Sequence, residues 1–279
     1  MSRRAKLISL PFLLAALATL CVLIARMLDV NAAVVLLVAF GILVTAVTVL
    51  YTRMVVAVRR LVLMNQEGVS LLNQGRGEEA LRAFEACEAR AKAARLTSYG
   101  RLFRANTAAA LVELGRPREA HAIVQALLRE DDLERSLAAS WGNFVGLVAT
   151  VLWLSPEAST EDPERFLDAH ASEVPPGQRA VLVTPRVLVL LRQHRYSEAE
   201  TLLAERWREA EGLLPARRLR RLSVLWAYAL HHLGRTDEAR RKLDSAGDGA
   251  AEENRMLLER WPELAEYLSS AQRYRQAAR

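Results

Sequence analysis

Five histidines, two cysteines and several pairs of adjacent acids are the side chains of this 279-residue chain best suited to chemistry. Metal ligation needs His, Cys or carboxylate groups at turn or helical spacing. Nucleophilic catalysis needs a base beside a hydroxyl or thiol. His121, His170, His194, His231 and His232 stand in no HExxH pattern and beside no cysteine pair. The sequence also lacks a GxxxxGK[ST] phosphate loop, a GxGxxG turn and a GxSxG elbow. Glu78-Glu79, Asp131-Asp132 and Glu252-Glu253 read as solvated acids on helix surfaces. Cys21 lies in an apolar run and Cys87 in a distant helical segment, so both read as small buried hydrophobes rather than ligands or a disulfide. The expectation is a protein that is not an enzyme and carries no cofactor and no metal.

The remaining reactive character is cationic. A net charge of +6 and a pI near 9.7 suggest nucleic acid, but the excess is local. Residues 1–60 hold seven Arg/Lys and one acid, and residues 61–279 hold 31 of each. Nucleic-acid binding needs a basic face that displaces counterions from phosphates, and a neutral domain does not supply one. The densest run is Arg217, Arg218, Arg220 and Arg221. One reading gives it to acidic lipid or an acidic partner. The other makes it a solvated face paired with Glu205, Glu209 and Glu211.

The N-terminal charges flank apolar sequence. Residues 7–28 carry one charge, Arg26, and residues 32–51 carry none. Each is long enough for a helix to cross a ~30 Å hydrocarbon core, and only Asp29, Val30 and Asn31 separate them, so the pair predicts a transmembrane helical hairpin. A cleaved signal peptide competes for the first run, but the run is long and no A-x-A site ends it. Arg3, Arg4, Lys6, Arg53, Arg59 and Arg60 flank the pair, against Arg26 at the turn, which predicts cytoplasmic N- and C-termini in an inner (cytoplasmic) membrane. Ala15, Ala18, Val22 and Ala25 on the first span face the same way, as do Gly41, Thr45, Thr48 and Thr52 on the second. Such small residues make a seam within the hairpin, or with a second membrane protein.

The domain that follows contains a repeated heptapeptide: QGRGEEA at 74–80, LGRPREA at 114–120, QHRYSEA at 193–199 and LGRTDEA at 233–239. Gly at the second position suits the left-handed residue that ends a helix. Glu79, Glu119, Glu198 and Glu238 then fall in the first turn of the next helix, where a negative charge suits the helix dipole. Ala80, Ala120, Ala199 and Ala239 are small enough for two antiparallel helices to cross closely. Leu71, Leu111, Leu190 and Leu230 each precede that Ala by nine residues. The unit is helix–turn–helix. Between the second and third copies, 137–154 reads as a helix, Asp162-Pro163-Glu164 as the start of another, and Thr184-Pro185 as a kink or a new start. Ser197-Glu198-Ala199-Glu200 fits a capping box, and Pro262 starts a final helix to about Arg275.

This pattern resembles the tetratricopeptide repeat. Gly68, Gly75, Ala80, Phe84 and Cys87 occupy the family's repeat positions in the first copy. Ala108, Gly115, Ala120, Val124 and Leu127 do so in the second, and Ala227, Gly234, Ala239, Leu243 and Ala246 in the last. His194 and Arg206 depart from the pattern, and the period is near 40 rather than the usual 34. With the apolar runs, the resemblance gives an all-α expectation: a transmembrane hairpin over 1–52, a solenoid of about five repeats over 53–250 with a divergent unit at 133–175, and a capping helix and tail over 251–279. HemY-type proteins share that architecture. In repeat register the concave face would present Asn65, Val69, Asn106 and Ala109, then Arg221, Tyr228 and His231 or His232. The functional expectation is a membrane-anchored scaffold that binds a protein partner on this groove. The alternative is a structural subunit of a membrane complex, associating as a homo- or hetero-oligomer through the hairpin.

Overall fold

The computed structural model describes Thr19, Met27 and residues 32–159, 161–247 and 250–277. The chain divides into two compact units, Met1–Arg60 and Leu61–Arg279. The described residues are all-helical, with α1 (Ala32–Asn73), α2 (Gly77–Ala93), α3 (Thr97–Glu113), α4 (Pro117–Leu128), α5 (Leu133–Ser136), α6 (Trp141–Leu154) and α7 (Pro163–His170) in the first part. They continue as α8 (Val183–Arg192), α9 (Tyr196–Leu213), α10 (Ala216–His232), α11 (Thr236–Ala246), α12 (Ala250–Glu253), α13 (Arg255–Arg260) and α14 (Pro262–Ala277).

In the first unit, the stretch of α1 before Arg53 is apolar around its whole circumference, with Leu37, Phe40, Ile42 and Leu50 all exposed. A helix that is hydrophobic on every side suits a membrane span. It is the one helix among the described residues that is long and apolar enough to cross a bilayer. The Thr45 hydroxyl donates to the Gly41 carbonyl and the Thr48 hydroxyl to Val44, each at 2.8 Å. Both polar groups are therefore satisfied within the helix. Apart from Thr19 and Met27, the expected first span, its link to α1 and the seam residues Ala15, Ala18, Val22 and Ala25 lie outside the described residues.

The second unit is built from helix pairs joined by the repeated heptapeptide. Gly75, Gly115 and Gly234 have φ of +82°, +74° and +75°. Each junction closes two bonds. Arg76 N donates to Leu71 O at 2.9 Å and Gly75 N to Leu72 O at 3.0 Å; Arg116, Arg195 and Arg235 repeat the pattern. This satisfies the carbonyls a helix end leaves open. His194 occupies the same left-handed position at φ +60°, a conformation that strains a residue with a Cβ. The arginine then clamps the next helix: Arg76 holds both carboxylate oxygens of Glu79 at 2.7 and 2.5 Å, as Arg116, Arg195 and Arg235 hold Glu119, Glu198 and Glu238. Those hydrogen bonds lead in holding the four carboxyls below their ordinary range. The arginine clamp at Tyr196 corrects the expected capping box. The helix N-cap there is Arg195, with no side-chain cap from Ser197. Asp162 does cap α7, its Oδ1 accepting from Glu164 N and Arg165 N.

The small residues after the clamp let the helices meet. Ala80, Ala120, Ala199 and Ala239 are buried. At Gly68 a Cβ would lie 2.6 Å from the Phe84 ring, so only glycine allows this crossing of α1 and α2. The divergent centre opens with the short α5, passes through a 3-10 turn, Ala138–Ser140, and continues as α6, whose Phe144, Val148, Val151 and Leu152 are buried. Trp153 Nε1 donates to Leu188 O at 3.1 Å, tying α6 to α8. Pro185 sits in the first turn of α8, so Thr184-Pro185 marks a new start that follows the 3-10 helix Pro176–Leu182.

Candidate ligand and partner site

The arginine run opens α10, whose first residue follows Pro215. Positions 217, 218 and 221 share one side of a helix by their i, i+1 and i+4 spacing. Arg221 also falls on the stripe that continues through Leu225 and Tyr228, all buried. That side is largely withdrawn from solvent: Arg221 is buried, and Arg217 and Arg218 are half-buried. Arg221 donates to both oxygens of Glu113, at 2.9 and 3.0 Å, and to the Glu253 carbonyl at 3.2 Å. Arg217 lies 3.2 Å from Glu113 and donates to Leu72 O at 3.2 Å. Arg220 pairs with Glu253. The expected partners Glu205, Glu209 and Glu211 are not used: they stand on α9, while the arginines turn toward the ends of α1 and α3.

This arrangement decides the ionisation of its members. Burial pushes the Glu113 carboxyl up, but the charge and hydrogen bonds of Arg221, with Arg217 and Arg218 behind, outweigh it and hold the group below the ordinary carboxylate value. Burial lowers Arg221, and Glu113 more than restores it. Arg218 differs. Burial lowers it, Glu113 only partly compensates, and Arg221 repels it. Its guanidinium reaches the Asn143 carboxamide oxygen at 3.5 Å, the outer limit of a hydrogen bond, and forms no salt bridge among the described residues.

Glu113, Arg218 and Arg221 are the charged residues lining a cavity of about 290 Å³. Asn65, Val69, Asn106 and Ala109 line the same cavity. Asn106 Nδ2 donates to Asn65 Oδ1 at 2.7 Å, joining α3 to α1. Leu102, Phe144, Leu147, Leu188 and Met256 supply apolar wall, and Val69 and Asn143 are exposed at the rim.

The structure thus brings Asn65, Val69, Asn106, Ala109 and Arg221 together and separates the other three expected residues from them. Tyr228 is buried among Trp261, Tyr267 and Tyr196, with ring centroids at 5.1, 5.6 and 6.1 Å. His232 is exposed and stacks on Tyr196 at 4.3 Å; His231 is exposed and packs against Tyr267 at 4.9 Å. Arg221 and Tyr228 were expected to project from an exposed face. Arg221 is instead a buried ion-pair partner, 8% exposed, and Tyr228 is core at 2%. Gly41, Thr45 and Thr48 lie in the first unit on α1. Sequence reasoning missed Glu113 and Asn143, and it named Arg218 only as one of the run, not as a cavity residue. A signal existed for the run itself, because Arg221 sits four and seven residues before Leu225 and Tyr228 on an apolar stripe. Among the described residues, no group of three or more His, Cys, Asp or Glu side chains is placed to hold a metal ion.

No family model matches the chain, and neither a curated protein nor a solved structure matches it.

Proposed function

We propose that the chain is a membrane-anchored adaptor: a tetratricopeptide-like solenoid, tethered by an N-terminal hairpin to the inner membrane, that holds a protein partner on its cytoplasmic side. One observation carries the reading. Four copies of one helix junction, each with a left-handed residue and an Arg–Glu clamp, follow an exposed apolar helix in the same chain. Regular stacking of helix pairs is how repeat proteins build extended binding surfaces, and an apolar helix fixes such a surface at a bilayer. Val69 and Asn143 at the cavity rim, with exposed His231 and His232, are the side chains this reading gives to the partner.

The test is capture of the full-length chain from membranes in mild detergent, with bound proteins quantified by mass spectrometry. Val69→Arg with Asn143→Ala is compared with Gly41→Leu with Thr45→Leu. A stoichiometric partner lost only in the first pair supports the adaptor. Loss only in the second moves the contact to the membrane segment and favours a structural subunit. Fusion reporters at both termini test the cytoplasmic placement, and an external C-terminus would refute it.

A further inference from the structure

The second unit is neutral as a whole, but the charge around the start of α10 does not balance. Four guanidiniums, of Arg217, Arg218, Arg220 and Arg221, meet two carboxylates, Glu113 and Glu253. Glu113 is already spent on a two-point contact with Arg221 and a third contact with Arg217. Arg220 takes Glu253. Arg218 is left half-buried at the cavity wall, only partly offset by Glu113 and repelled by Arg221, with one long contact to a neutral carboxamide. Removing a guanidinium from water without a full counter-charge is unfavourable. Nothing in helix formation requires Arg at this position, since an apolar or amide side chain would serve α10 as well. A cation held this way is pre-organised for an anion that arrives later, because the ligand then meets a fixed donor with little water to displace.

The rest of the cavity defines what the anion must carry. Asn65, Asn106 and Asn143 offer carboxamides near the cationic wall, and Leu102, Phe144 and Leu147 offer apolar surface. The volume is close to the lower bound of about 300 Å³ typical of small-molecule sites, too small for a folded segment and ample for a short organic acid.

We infer that this cavity binds a small organic oxyanion, a carboxylate or phosphate monoester with a short apolar body, whose anionic head pairs with Arg218. The inference does not rest on the adaptor reading, although the two share the rim residues Val69 and Asn143: it concerns the cavity wall at Arg218 and is tested on the isolated protein without a partner.

The test uses the full chain in phosphatidylcholine nanodiscs at constant ionic strength. Thermal unfolding is followed while hexanoate, hexyl phosphate, inorganic phosphate or hexanol is titrated. A ligand that binds only the folded state raises the midpoint with its concentration. Expected is a saturable rise with hexanoate or hexyl phosphate and none with hexanol. The tighter of the two names the head group. Inorganic phosphate should bind at least tenfold more weakly than hexyl phosphate. Arg218→Gln should lose at least tenfold in affinity while its ligand-free midpoint equals or exceeds that of the parent, because a repelled cation is removed. A residue serving structure alone would instead lower that midpoint. Arg218→Lys keeps the charge without the planar fork and should lose affinity less than Arg218→Gln. No saturable rise with either organic anion overturns the inference. So does an equal rise with hexanol, or unchanged affinity in both Arg218 variants. Equal affinity for inorganic and hexyl phosphate overturns the apolar part of the ligand.

Discussion

Replacing Glu113 by Gln keeps the shape of the side chain and removes its charge. In the folded protein this carboxylate accepts from Arg221 at 2.9 and 3.0 Å and lies 3.2 Å from Arg217. Arg221 is 8% exposed, and its Nε has no hydrogen-bond partner to fall back on. Deleting one member of a buried pair leaves the other charge uncompensated, at a cost of about 3–5 kcal/mol. Gln retains one acceptor oxygen, which places the expected loss near the lower end, about 3 kcal/mol. In a domain of this size each kcal/mol moves the midpoint by about 2–4 °C, so Glu113→Gln should unfold roughly 6–12 °C lower at pH 7. The pH dependence follows from the direction of the shift. The folded carboxyl titrates below its unfolded value. The stabilisation is therefore complete above the unfolded carboxylate value of about 4.3 and is lost as pH falls through the lower folded value. The gap between parent and variant should close in that acidic window. Far-UV circular dichroism melts from pH 7 to the acid limit measure both effects. A midpoint within about 2 °C of the parent at pH 7, well under the shift that a buried pair implies, would refute the account of Glu113 as the counter-charge of the cluster. A gap that does not change with pH would refute the ionisation argument.

Other perturbations probe separate features. His194→Gly replaces a left-handed non-glycine at φ +60° and should stabilise by about 0.5–1 kcal/mol. The loss of the 2.8 Å contact between His194 and the Tyr196 hydroxyl reduces the gain, which urea titration measures. Gly115→Ala, at φ +74°, should cost about 1–2 kcal/mol by the same measurement. Arg116→Ala removes an exposed clamp and should lower the midpoint less than Gly115→Ala, the difference from the parent shrinking in high salt. Val44→Arg places a charge within the apolar helix, at a cost of about 2.5–3.5 kcal/mol of insertion free energy, read as a smaller carbonate-resistant membrane fraction. Burial pushes the Cys87 thiol up. In a Cys21→Ser background Cys87 should therefore resist thiol reagents until the protein unfolds.

The helix junctions were readable because their requirements are local. A left-handed C-terminal residue selects Gly, and a close crossing selects Ala five residues later, so the same letters recur at the same spacing. The Arg–Glu clamp is readable at i, i+3 as well, although helix-dipole reasoning singles out the acid alone. Asp162 was legible for the same local reason. The capping box at Ser197 failed because the Schellman bond from Arg195 places Arg195 itself at the N-cap. The cavity was legible only in part. Asn65, Val69, Asn106 and Ala109 follow from repeat register, one residue per turn of neighbouring helices. Arg221 was found but assigned to the surface, since an arginine is rarely buried without a partner. Its partner, Glu113, is 108 residues away and belongs to no shared pattern. Arg218 becomes notable only after that pairing shows which guanidinium is left over.

The bridges from α10 to the early helices bear on how the domain folds. An array in which each hairpin touches only its neighbours comes apart segment by segment, its ends fraying first. Here Arg217 reaches a carbonyl 145 residues away and Arg221 a carboxylate 108 residues away. Such contacts form late, since a long loop must close before they reward it, and they slow the final step of folding. Once made, they couple the first and last hairpins into one cooperative transition. Amide hydrogens in α1 after Leu61 and in α10 should then exchange at a common rate set by global unfolding, rather than along a gradient from the ends.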